Sequence, residues 1–183
     1  MPSIAPTLDA PRVPTPPDHS RRRARVTTAV VLLAPLVVLA VAAWSYRWMS
    51  DDGFINLRIV DQLTSGHGPV FNQGERVEAA TSPLWIYVLT AADLVVPLRL
   101  EWIAVLVGIT LTVAGTALAM LGAGRLIERD DRTVLVPAGA LVLVVLPPMW
   151  KFASSGLENG LTFAWLGATC ALLAAWARSG RPF

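Results

Sequence analysis

An all-helical integral membrane fold is what this sequence predicts, and three observations carry the prediction. Hydrophobic residues make up 54% of the 183-residue chain and charged residues only 15%, where soluble domains carry about a quarter charged. The apolar residues gather into runs long enough to cross a bilayer. Arginine, which supplies 14 of the 15 basic residues, flanks those runs, as the positive-inside rule asks of cytoplasmic segments. A pI near 9.2 would suggest nucleic-acid binding in a soluble protein; here the membrane accounts for it, and no nucleic-acid partner is expected. A mean hydropathy of +0.55 excludes a disordered chain, and a single cysteine, Cys170, excludes a disulfide framework.

The elements follow in order. Met1 to Ser20 holds six prolines and little that builds a core, so residues 1–25 read as a disordered cytoplasmic tail. Arg21, Arg22, Arg23 and Arg25 abut the first apolar run, Val26 to Trp44, whose 19 residues suffice for a span. A cleaved signal peptide ending near Ala40-Val41-Ala42 is the rival reading, but the run exceeds a usual signal core and more apolar runs follow. Ser45 to Glu101 forms a large polar outer loop. Within it Leu84–Val96 is apolar but has only 13 residues, contains Asp93 and stops at Pro97. A carboxylate at mid-membrane costs about 2.5–3.5 kcal/mol on insertion scales, so this segment reads as an interfacial helix. Spans are then expected at about 102–121, 133–150 and 160–177. With Leu84–Val96 lying flat there are four spans. Ten of the 15 basic residues then fall on the cytoplasmic side, and both 45–101 and 151–159 face outward. The expected molecule is thus a multi-pass plasma-membrane protein: four transmembrane helices with amphipathic juxtamembrane helices in the first outer loop.

Candidate chemistry lies in the two outer segments. Ser50-Asp51-Asp52-Gly53 opens a helical pattern (Phe54, Ile55, Ile59, Val60, Leu63) that Ser65-Gly66 ends. Ser50 suits an N-cap, and carboxylates suit the first turn of any helix. The same pair at a membrane surface also suits a base or an acceptor-hydroxyl anchor, with one of the two facing a given substrate. His67, in Gly66-His67-Gly68-Pro69, is a loop histidine that solvation alone explains. Asn72, Glu75, Arg76 and Glu78 offer hydrogen-bonding groups of the kind a sugar needs, or simply form a hydrophilic loop. Trp85 fits a stacking ring or an interface anchor. Lys151 and Glu158 cap neighbouring spans or serve a site. One Cys and two His do not make a tetrahedral zinc site; a divalent cation held by Asp and Glu oxygens stays open.

Taken together, these residues resemble a known family. A basic tail and one span precede Asp51-Asp52 and a helix with Arg58. Then come Gly66-x-Gly68, Phe71-Asn72-x-Gly74-Glu75-Arg76-Val77-Glu78 and Thr81-Ser82-Pro83-Leu84-Trp85, and later Ser155-Gly156-Leu157-Glu158-x-Gly160-Leu161. The string resembles the N-terminal part of the GT-C membrane glycosyltransferases, and among them the actinobacterial enzymes that add terminal β-(1→2)-arabinofuranose to cell-wall arabinan. The resemblance runs from about Val26 to Ala177. Ala79-Ala80 stands where the pattern leads one to expect a glycine and an aromatic residue.

The resemblance implies a sugar donor carried on polyprenyl phosphate in the bilayer and a cell-wall glycan acceptor on the outer face. It implies a catalytic acid at Asp51 or Asp52, a second acidic motif at Glu158, and an amphipathic helix closing the first outer loop. Arg58, Arg76 or Lys151 would offset the donor phosphate. Family enzymes have more spans than this chain, which implies a fragment. The alternative expectation is a non-enzymatic scaffold or partner subunit in envelope assembly, with Gly108, Thr112 and Gly115 packing against a partner helix. A transporter fits less well, because the spans carry no charge that would mark an ion path.

Overall fold

The computed structural model describes residues 19–75, 77, 79–127 and 134–180, with side chains from residue 22 onward. Among the described residues every regular element is a helix: α1 (His19–Ser45), α2 (Asp51–Thr64), α3 (Pro83–Asp93), α4 (Leu100–Leu126), α5 (Ala138–Val145), α6 (Pro147–Phe152) and α7 (Asn159–Arg178). Three of them, α1, α4 and α7, are long and apolar enough to cross a membrane. Each begins before or ends beyond the apolar run that announced it, because arginines and Glu101 extend the helices past the hydrocarbon.

The best-packed pair is α4 with α7, and glycine makes it possible. Gly108, Gly115 and Gly122 recur every seven residues along α4. They meet Gly160, the Phe163–Gly167 turn and Ala171 of α7. A Cβ at Gly115 would collide with the backbone carbonyl of Phe163, and one at Gly167 with that of Gly115. Where lipid surrounds the helices, such backbone-to-backbone approach supplies the packing that hydrophobic exclusion supplies in water. Thr112 and Thr116 lie buried beside the seam and return their hydroxyls to the carbonyls four residues back, each at 2.8 Å. The small-residue face expected to receive a partner helix is therefore occupied by α7. Gly115→Leu should prise the pair apart. Overpacking of this kind costs about 1–3 kcal/mol, so thermal unfolding in detergent should move down by several degrees, and an unchanged midpoint would contradict the seam.

The order of contacts shows that α4 and α7 run parallel: Gly108 lies on Gly160, Gly115 on Gly167 and Gly122 on Ala171. The chain between them must therefore return from one end of the bundle to the other. Of residues 133–150, expected as one span, the described ones (134–150) do not form one helix. Val134–Pro137 is irregular, α5 follows, and Leu146 (φ −89°, ψ 106°) separates α5 from α6. The cause is Pro147-Pro148: the residue before a proline is pushed out of the helical region, and proline then starts the next helix at its first position.

α1 runs antiparallel to α4. Thr28, Pro35, Leu39 and Ala43 form its buried stripe, at the three-to-four spacing of a one-sided helix. Val30, Leu33, Val37 and Val41 face outward. At one end Trp44 stacks near Trp102 (5.9 Å) and Tyr46 near Trp150 (4.7 Å). At the other end Arg178 donates to the Arg125 carbonyl at 2.7 Å. The bundle is therefore polar end to end. Arg22, Arg23 and Arg25 open α1 at the end where α4 and α7 finish on Arg125 and Arg178. The opposite end carries α2, α3, the aromatic rings and the acids.

Helices α2 and α3 fold onto the start of α4. Leu57, Ile59 and Val60 of α2, Trp85, Ile86 and Leu89 of α3, and Ile103 and Ala104 of α4 make one buried cluster. The 11-residue α3 buries one face and exposes Leu84 and Tyr87 on the other.

Candidate functional site

The site is organised by a short stretch that sequence periodicity does not single out, Ser154-Ser155-Gly156. It follows α6 and leads into α7, and it is wholly buried. Three separate parts of the chain dock onto it. Trp48 donates its backbone N–H to Ser154 Oγ (3.3 Å) and its indole N–H to the Lys151 carbonyl (3.0 Å). Ser50 donates both its backbone N–H and its hydroxyl to the Ser155 carbonyl, each at 2.9 Å. The Gly156 carbonyl accepts from Asn56 Nδ2 (3.2 Å) and from Trp85 Nε1 (2.9 Å), which fills both its lone pairs.

Glycine is required twice at this junction. Gly156 sits at φ +81°, and a Cβ there would run into Met49 Sδ and meet Gly53 Cα at 3.0 Å. A Cβ at Gly53 would in turn strike the Ser155 carbonyl. The first turn of α2 thus lies directly on the loop that launches α7.

That contact brings the acids to one end. Ser50 caps α2 by accepting from the Gly53 N–H at 3.0 Å, so Asp51 and Asp52 hold the first two helical positions. Both are exposed. Neither carboxylate makes a hydrogen bond or ion pair with another described residue. Successive residues of a helix point about 100° apart, so the two carboxylates address different directions. Glu158 lies two residues beyond Gly156 and N-caps α7 through its carbonyl, which accepts from the Thr162 N–H (2.9 Å) and hydroxyl (3.2 Å). Its carboxylate is left for other work.

The remaining expected residues divide. Lys151 is exposed at the same end, its ammonium 5.9 Å from the Trp150 ring. Arg58 shares a face of α2 with Asp51 but pairs with Asp61 at 3.1 Å, both exposed. Asn72 donates to Glu75 at 3.1 Å in the loop after α2, and Gln73 bonds the His67 ring at 3.0 Å. These contacts tie that loop together rather than to the acids. Arg76 and Glu78 lie outside the described residues. Trp85 has neither of the surface roles expected of it. Its ring is 0% exposed, because the indole N–H needs the Gly156 carbonyl and the ring fills the space between α2 and α4. No three described His, Cys, Asp or Glu side chains gather into a metal-holding group.

Against this geometry the relatives can be placed. The chain is similar to a terminal β-(1→2)-arabinofuranosyltransferase of Mycobacterium tuberculosis, 44% identical over 158 residues that cover 84% of this chain and 25% of that protein. It is also similar to a terminal β-(1→2)-arabinofuranosyltransferase of Corynebacterium glutamicum, 41% identical over 172 residues that cover 94% of this chain and 25% of that one. The chain is homologous to the N-terminal part of these arabinofuranosyltransferases. It spans about a quarter of the length of the curated relatives it matches. No family model and no solved structure matches it.

The arabinofuranosyltransferase resemblance rested on strings that the structure now explains physically. In Ser155-Gly156-Leu157-Glu158-x-Gly160, the first two residues receive α2 and α3, and Gly160 lies on Gly108. Sequence reasoning missed Ser50 as a cross-link, Asn56, Ser154 and Arg47. Arg47 lies over the Trp44 and Trp102 rings at 4.6 and 5.4 Å. Its signal was present: one arginine within the aromatic run Trp44–Trp48, where a span meets a polar loop.

Proposed function

We propose that this chain is the acid-bearing N-terminal module of a membrane glycosyltransferase. It moves arabinofuranose from a polyprenyl-phosphate donor to a cell-envelope glycan on the outer face. One observation carries the reading: the docking of Ser50 and Gly53 on Ser155 and Gly156 sets Asp51, Asp52 and Glu158 at one end of the bundle, with Arg125 and Arg178 at the other. By the positive-inside rule the arginine end is cytoplasmic and the acid end lies outside. The parallel run of α4 and α7 supports a return crossing by residues 134–152, which makes four passes, with α2 and α3 lying at the outer surface.

The chemistry follows from that placement. Asp51 or Asp52 accepts the proton of the acceptor hydroxyl as its oxygen bonds to the anomeric carbon. The bond from that carbon to the phosphate oxygen breaks, and polyprenyl phosphate leaves with the electron pair. Its charge is offset by Lys151, which no described carboxylate pairs, or by Arg76; Arg58 is already partnered by Asp61. Asn72 and Glu75 form the polar rim from which the sugar or the glycan is held. Glu158 orients a second hydroxyl.

The reading is tested with membranes containing the protein, a radiolabelled polyprenyl-phosphate arabinose and an arabinan acceptor. Label should pass into the glycan and appear as terminal arabinofuranose. Absence of transfer, or transfer that survives loss of both Asp51 and Asp52, would contradict it.

A further inference from the structure

A cleft of about 860 Å³ opens at the arginine end, far from the acids, between α1 and the last turns of α4. It runs into a second of about 510 Å³ that reaches α5 and α7, and the two share Leu32, Met120, Gly124, Ile127 and Leu135. Both volumes fall in the range of about 300–1,000 Å³ usual for ligand sites. We propose that this cleft holds the acyl chain of an anionic phospholipid whose phosphate rests on Arg125 and Arg178.

Three facts point to that occupant. The cleft is walled by helices long and apolar enough to span a membrane, and Leu33 and Leu121 on its lips are more than half exposed. Its mouth therefore opens to hydrocarbon, and a lipid chain, not water, fills it. Among the described residues its only charged lining groups are the two arginines. Arg178 spends one N–H on the Arg125 carbonyl (2.7 Å), while no described residue pairs with the Arg125 guanidinium. A fork of this kind binds phosphate through two parallel hydrogen bonds. Basic pockets between helices on the cytoplasmic side are suited to anionic headgroups. The cleft is independent of the transferase reading.

The test uses the protein in a zwitterionic detergent, titrated with phosphatidylglycerol and, separately, phosphatidylcholine. Saturating phosphatidylglycerol should raise Tm by about 5 °C, and phosphatidylcholine should leave it near its starting value. Arg125→Gln keeps the carbonyl that Arg178 clasps but removes the phosphate contact, and Ala117→Phe fills the cleft. Each should abolish most of the phosphatidylglycerol shift. Equal shifts from the two lipids, or an undiminished shift in Arg125→Gln, would overturn the site. A shift with polyprenyl phosphate but none with phosphatidylglycerol would overturn it in favour of the carrier lipid.

Discussion

Asp51→Asn and Asp52→Asn should separate cleanly in a transfer assay. The carboxylate that faces the acceptor hydroxyl should lose on the order of 10²–10⁴-fold in rate when it can no longer accept a proton. Its neighbour should lose far less, because the helix turns about 100° between them. Stability does not confound the comparison. Both side chains are exposed and unpaired at the start of α2, and a first-turn carboxylate contributes about 0.3–1 kcal/mol to a helix. The Ser50 hydroxyl, which caps the helix and ties it to Ser155, remains in both variants. A rate loss without a matching fall in Tm is therefore the expected signature. Two fully active variants would remove the catalytic assignment.

Gly156→Val should have the opposite signature, a structural failure that carries activity with it. The new side chain would need a left-handed backbone at φ +81°, which costs a non-glycine residue about 1–2 kcal/mol. It would also drive into Met49 and Gly53, and overpacking adds about 1–3 kcal/mol. Relief requires the Gly156 carbonyl to move away from Asn56 and Trp85, its two donors. Once the loop lifts off α2, Glu158 and the aspartates no longer share a fixed geometry. Tm should fall by several degrees and transfer should drop with it. Gly156→Ala should show the same changes at smaller size. A Gly156→Val protein as stable and active as the parent would show that the junction does not hold the site.

Much of this architecture was legible locally. Hydropathy and arginine placement marked α1, α4 and α7, since a bilayer imposes length and end charge directly on the sequence. Ser50 and Ser65-Gly66 bracketed α2 because capping chemistry is local. The apolar run Leu84–Val96 marked a short helix, and α3 spans 11 residues there, ending at Asp93. The break at Leu146 was misjudged because Pro147-Pro148 sat near the expected end of an apolar run, where prolines are ordinary. The junction itself was not legible. Trp48, Ser50 and Asn56 bond to residues about 100 positions away, and no periodicity encodes such a pairing. Trp85 was misread for the same reason: an aromatic residue at the head of an interfacial helix looks like a surface ring until the Gly156 carbonyl beneath it is seen. Gly108, Thr112 and Gly115 announced a helix partner, but spacing alone did not say that the partner was α7.

The central claim is that two acidic segments, far apart in sequence, share one outer face. The most direct test introduces cysteines one at a time as Asp52→Cys, Glu158→Cys and Arg125→Cys in a Cys170→Ala background. Intact cells are then exposed to a membrane-impermeant maleimide. The account predicts labelling at positions 52 and 158 and protection at 125 until the membrane is opened. Labelling of 52 without 158, or of 125 in intact cells, would contradict it.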